Sequence, residues 1–280
     1  MSDEGLEEAL RVRLDFMIIT QLTPVPDSTT LCRFRNLLTE RGLWEELLGE
    51  INGQLEELGL KVKESQGAII DATLIQSAAR PRKEIEAMPL DRQEEETSVT
   101  EDFEEHLSCD PDARWVKKGK KSHFGYRGFM VTDSEEGYID QVHVTPAHVS
   151  EVKELSVVMA HRKGKDKRLY ADKGYASQEN KDLLKRKGIK NGIMEKAQKN
   201  KPLTPWQKLF NRLISKVRYR VEQGFGTLKR RFHFSRASYR TLPKVQAQMT
   251  IKAIAFNLLK ASNKVLAIHK TPPLRLSSGF

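Results

Sequence analysis

The strongest constraint in this chain of 280 residues is a short apolar run with a charge at its centre, Ala68-Ile69-Ile70-Asp71-Ala72-Thr73-Leu74-Ile75. Its length and β-branched content predict a buried strand. An ionised carboxylate inside such a strand costs several kcal/mol unless a cation or a hydrogen-bond network satisfies it. Asp71 is therefore either a structural hydrogen-bonding group at a strand end or part of a charged site, and the run alone leaves both open.

The periodicity on either side differs. Residues 3–16 place Leu6, Ala9, Leu10 and Leu14 at helical spacing behind a Ser2 or Asp3 cap. Asp27-Ser28-Thr29-Thr30 offers caps for a second helix with a Leu31, Phe34, Leu37-Leu38 stripe, and residues 43–58 predict a third. Beyond Lys117, Phe124, Tyr126 and Met130 alternate, Ser134-Glu135-Glu136-Gly137 reads as a turn, and a second alternating run passes through Val142 and Val144, which predicts a β-hairpin. A helix over 150–161, a strand over 168–171, a helix over 177–187, a strand over 189–194 and helices over 205–223 and 244–262 follow. Gly224 and Gly226 weaken helix propensity by about 1 kcal/mol each, so loosening is expected before Lys229. This order predicts an α/β fold, a mixed sheet flanked by helices, behind a small helical unit. The expected units are a helical region at 1–65, a main domain at 66–262 and a basic tail at 263–280. Residues 80–115, with Pro81, Glu94-Glu95-Glu96 and little periodicity, read as an acidic, disordered insertion.

Charge divides the chain. Residues 1–110 hold 11 Lys and Arg against 25 Asp and Glu, a balance of −14, whereas 111–280 hold 37 against 13, a balance of +24. The basic half suits a polyanion, although a merely basic soluble protein fits the charge alone. No run approaches the roughly 18 apolar residues of a membrane span, and the acidic start is unlike a signal peptide, so a cytoplasmic, nucleoid-associated protein is expected. The two cysteines, Cys32 and Cys109, lack disulfide or zinc spacing and read as free thiols.

Asp172 ends a predicted strand in Tyr170-Ala171-Asp172-Lys173-Gly174-Tyr175, where α/β sheets commonly carry functional groups, although a turn Asp fits equally. Arg218, Glu222 and Lys229 fall within about 40° of one helical stripe, which is either a solvated salt-bridge face or a site. Two aspartates and one glutamate in a basic half form a hard-oxygen set that suits Mg²⁺ or Mn²⁺. Two such ions can activate an attacking water or hydroxyl and stabilise the leaving oxygen of a phosphodiester. His143 and His148 lack metal spacing and read as structural. Trp115 either stacks on a base or packs beneath the insertion. Gly224-Phe225-Gly226 lacks the strand-then-helix context of a dinucleotide loop.

Taken together, Ile70-Asp71-Ala72-Thr73, the segment from Tyr170 to Tyr175, and Arg218-(x3)-Glu222-(x6)-Lys229 resemble the three signatures of DDE insertion-sequence transposases of the insertion-sequence family five type. Further similarity runs through the segment from Val25 to Arg35, Gly125-Tyr126, the segment from Val144 to His148, and Leu203-Thr204-Pro205-Trp206. The resemblance implies an RNase H-like core in which Asp71, Asp172 and Glu222 are catalytic and hold two divalent ions, Mg²⁺ or Mn²⁺. It also implies cleavage of double-stranded DNA at terminal inverted repeats, strand transfer into target DNA and a homo-oligomer on DNA. Arg218, Lys229 and Lys173 would contact DNA, and the N-terminal helices would help bind the repeats. Two departures stand out: Ser215 occupies the place of a signature Tyr, leaving Tyr219 as a substitute, and little chain precedes the segment matching residue 5, which would weaken repeat recognition. A hydrolysis-only nuclease and a non-catalytic DNA-binding remnant or repressor of its own element are the competing expectations.

Overall fold

The computed structural model describes residues 2–63, 65–79, 110–162, 166–198 and 201–270. The run around Asp71 is the strand β1 (Ala68–Gln76) at the middle of a mixed sheet. It pairs antiparallel with β3 (Lys121–Asp133) and parallel with β5 (Arg168–Ala171). The fourth strand, β4 (Ile139–Pro146), joins β3 through the expected hairpin, and β6 (Lys190–Ile193) extends the parallel edge beyond β5. Read across the sheet, the order is β4, β3, β1, β5, β6, with β2 (Arg114–Lys118) pairing the first part of β3.

β1 is apolar on both faces because both are covered. Ala68 and Ile70 pack with Leu155, Val158 and Met159 of α5 (Glu151–His161) and Leu184 of α6 (Gln178–Arg186). Ile69 faces the other way, onto Val221, Phe225 and Leu228 of α7 (Pro205–Arg230) and Val245 and Met249 of α8 (Leu242–Lys270). This is the helix-flanked mixed α/β sheet that the sequence predicts.

Of the N-terminal helices, α1 (Asp3–Val12) is capped by the Ser2 side chain and α3 (Ser28–Glu40) by Asp27, as expected. The single helix expected over 3–16 is instead two, because Arg13 is extended and α2 (Leu14–Thr20) starts after it; α2 buries no residue, so no packing holds the two in line. The helix α4 (Trp44–Glu57) is fastened to the core by a buried polar network. Asn52 and Asn257 bond to one another at 2.8 Å, both donate to the Ile139 carbonyl, and Asn257 accepts the Ile139 N–H.

Other expectations need correction. Of the acidic insertion expected over 80–115, residues 80–109, with Cys109, lie outside the described residues; 110–115 are instead an ordered lead into β2, anchored by the buried Asp110 and Ala113. Asp110 is fully buried, accepts from the hydroxyls of Ser77 and Tyr126 and from the Thr241 N–H, and Arg114 opens β2. The helix α7 does not loosen at its glycines. A Cβ on Gly224 would come within 2.8 Å of the Met130 Cε, so the missing side chain lets helix and sheet approach closely. The last helix runs on to Lys270 rather than yielding to a tail at 263, and residues 271–280 lie outside the described set.

Candidate active site

In the parallel pairing of β1 with β5, Ile69 stands opposite Tyr170, so two residues on, Asp71 within β1 and Asp172 just past β5 lie at the same level. Asp172 ends β5 and caps a single 3-10 turn, Lys173–Tyr175, with its Oδ1 accepting the Gly174 N–H at 2.5 Å. The partner that Asp71 requires comes from α7: the Arg218 Nη2 donates to its Oδ2 at 2.8 Å, and Asp71 Oδ1 accepts the Ala72 N–H at 2.9 Å. The same Nη2 lies 3.9 Å from the Glu222 Oε1, whose side chain is 62% exposed. Arg218 thus sits between the two carboxylates as their resident cation. It is buried rather than on a solvated stripe, and its Nε has no hydrogen-bond partner among the described residues.

Burial pushes the Asp71 carboxyl up to about 6. Arg218 and the Ala72 N–H oppose this, while Asp172 and a further carboxylate, Glu151, add to it. Glu151 opens α5 and pairs with Arg127 of β3 at 2.5 Å. Its carboxyl is raised, first by burial and then by Asp172, against the pull of Arg127, Lys118 and Arg218. The Tyr175 ring is fully buried behind the group, and its hydroxyl has no hydrogen-bond partner among the described residues. Burial, with Asp71, Glu151 and Asp172 nearby, raises that hydroxyl well above its ordinary range.

Cations frame the carboxylates. Lys229 is half-buried, and burial with neighbouring Lys118 lowers its ammonium, while Asp71 acts the other way. Lys173 and Lys118 are exposed. Ser215 is exposed with its hydroxyl 3.9 Å from the Met194 sulfur, and the Tyr219 ring lies under the Arg220 guanidinium at 5.0 Å. His143 pairs with Glu154 at 3.1 Å, a structural contact, and Trp115, 53% exposed, packs on Phe124.

Asp71, Asp172, Arg218 and Lys229 are therefore brought together, whereas Glu222 joins only through Arg218. As the side chains stand, no three carboxylate, His or Cys groups among the described residues converge closely enough to hold an ion. Asp71 is turned to Arg218, Asp172 to the Gly174 N–H and Glu151 to Arg127. The donor chemistry nonetheless fits a hard divalent cation: carboxylate oxygens are crowded, partly desolvated and already drawn to positive charge. Sequence reading missed Glu151, Arg127, Tyr175 and Lys118. An acidic residue in the first turn of a helix is read by default as a dipole contact, and nothing local marks a lysine at the end of β2.

The fold is thus a mixed α/β sheet that sets two aspartates at one level of adjacent parallel strands and brings an arginine and a lysine to them from a covering helix. The Transposase DDE domain model matches residues 63–258, and a second model, described as a transposase domain, matches residues 1–37. The chain belongs to the DDE transposase family. It is 44% identical over 235 residues to the transposase for insertion sequence element IS1106 of Neisseria meningitidis serogroup B, covering 84% of this chain and 78% of that one. Among solved structures, the piggyBac transposase synaptic complex with hairpin DNA aligns at 11% identity and a TM-score of 0.48, over 97% of this chain and 63% of that one. The BIV integrase catalytic core aligns at 10% identity and a TM-score of 0.26, over 55% and 95%. Membership implies use of a divalent metal. No described helix is long and apolar enough to cross a membrane.

Proposed function

We propose that this transposase cuts double-stranded DNA at the terminal inverted repeats of an insertion sequence and transfers the freed strand into target DNA. Asp71, Asp172 and Glu222 are its catalytic carboxylates, holding two Mg²⁺ or Mn²⁺ ions. The observation that carries this reading is the placing of two aspartates at one level of neighbouring strands, with the buried Arg218 held between Asp71 and Glu222. A guanidinium placed there marks where the carboxylates favour positive charge. When bound, divalent ions supply Lewis-acid activation of the attacking oxygen and stabilisation of the leaving one.

Arg218, which holds Asp71 here, would be free to contact a DNA phosphate once ions were held by the carboxylates. Lys229, close to Asp71 and Lys118, and the exposed Lys173 contact phosphates on the same rim. The relative's assignment to an insertion sequence supports terminal repeats as the substrate, and cutting two ends together implies a homo-oligomer on DNA.

The test is cleavage and strand transfer on a labelled element end with Mg²⁺ or Mn²⁺, comparing wild type with Asp172→Asn. Loss of a carboxylate ligand should reduce cleavage on the order of 100-fold or more. Equal activity of the two proteins would overturn the metal-site assignment. Cleaved ends without joined product would replace transposition by simple hydrolysis, and end binding without cutting by either protein would point to a repressor.

A further inference from the structure

Four carboxylates, not three, bear on this site. We propose that Glu151 is part of the divalent-cation site: its carboxylate, carried to Asp71 and Asp172 by the first turn of α5, supplies oxygen ligands to the ion directly or through water. This inference rests on the cation-site reading above and adds a residue outside all three signatures.

The geometry is fixed by Gly174. A Cβ built there would lie 2.5 Å from the Glu151 Oε2 and 2.7 Å from the Asp172 Oδ1, so the two carboxylate oxygens are near neighbours, separated only by the space a side chain would fill. Gly174 stands at an ordinary negative φ, so its lack of a side chain is explained by this crowding and not by backbone conformation. A second, independent observation points to a ligand. The Tyr175 hydroxyl is fully buried without a hydrogen-bond partner among the described residues, and Asp71, Glu151 and Asp172 are the charged groups that act on it most strongly. A buried hydroxyl left unpaired costs about 1 to 3 kcal/mol, and a water held on a cation among these three carboxylates would relieve that cost.

Every charged neighbour of Glu151 is consistent. Arg127 pairs with it at 2.5 Å from β3, Lys118 approaches from β2 and Arg218 from α7, while Asp71 and Asp172 face it from β1 and β5. Three basic side chains thus surround three carboxylates, the arrangement that neutralises a cation site before its ion binds. Arg127 also donates to the Ala147 carbonyl, so it has a second anchor when Glu151 turns away.

The alternative is that Glu151 merely tethers β3 to α5 through Arg127. The two readings part on sign. Mn²⁺ binding to the DNA-free protein, followed by electron paramagnetic resonance titration, should weaken about tenfold or more in Glu151→Gln and strengthen in Arg127→Gln, which frees Glu151 from its competing cation. A structural tether predicts that both variants change Mn²⁺ affinity in the same direction and lower the thermal midpoint together, and that result overturns the proposal. Should Glu151→Gln fail to fold, Glu151→Asp, which keeps the charge but shortens its reach, replaces it and must also weaken binding. Asp172→Asn separates the levels. If it loses Mn²⁺ while Glu151→Gln binds like wild type, only the role of Glu151 falls; if neither variant changes binding, the cation-site reading falls with it.

Discussion

At the scale of single residues, the decisive physics is the charge on Asp71. A carboxyl held up to about 6 against an ordinary value of 3.8 means that the native chain binds this proton more tightly than the unfolded chain does. The native state therefore loses relative stability as pH rises from about 4 to about 6, and the difference is level above that. Asp71→Asn, which cannot titrate, should lack this contribution. The wild-type minus variant difference in unfolding free energy, measured by urea titration without metal, should fall by about 2 kcal/mol between pH 4 and pH 7. A flat difference would show that Arg218 compensates burial fully. Sequence alone identified Asp71 as needing a partner. It could not name Arg218, because 147 positions separate them and only the packing of α7 on β1 joins them.

At the scale of elements, the site depends on how closely α7 lies on the sheet. Gly224 faces Met130, which is fully buried, whereas propensity alone treats the same glycine as a weak point in the helix. Gly224→Val should lower stability by about 2 kcal/mol or more through overpacking. It should also displace Arg218 from Asp71, seen as a larger pH-dependent stability contribution from Asp71, because Arg218 holds that carboxyl down against burial. A variant as stable as wild type would mean that the helix is held elsewhere. Strand pairing acts on the same scale: β5 is only Arg168–Ala171, yet its parallel register with β1 is what sets Asp172 level with Asp71. Both strands and their aspartates were legible from apolar runs that carry a charge, at the centre of the first and at the end of the second. The register was not, since pairing partners lie outside any local window.

For the whole molecule, two arrangements join distant parts of the chain. The first is the Asn52, Asn257 and Ile139 network, which ties α4 to the hairpin and to α8. Asn257→Ala leaves the Ile139 N–H and the Asn52 carbonyl oxygen without these bonds and should cost about 2 to 3 kcal/mol, read as a lower denaturant midpoint. The second is charge. On the face of α7 turned away from the carboxylates, Arg220, Arg230 and Arg231 line a groove of about 370 Å³ with Lys260 of α8, so this helix carries cations on both sides. Removing one phosphate contact with Lys229→Ala should weaken binding to an element end and reduce the slope of log K against log salt by about 1. An unchanged slope would remove Lys229 from the DNA interface.

Element types, the mixed architecture, the basic half and the two strand-borne aspartates follow from the sequence by itself, because periodicity, capping and composition act over a few residues at a time. The signatures gathered there also point to the family to which the chain belongs. The tertiary structure decided the rest. It anchored residues 110–115 through the buried Asp110 and Ala113, carried α7 unbroken through its glycines, set Arg218 between Asp71 and Glu222, and brought Glu151 and Tyr175 to the aspartates. Each of these depends on groups far apart in the chain meeting at a few ångströms, where desolvation, close packing and opposite charge act on one another and local propensity has no say.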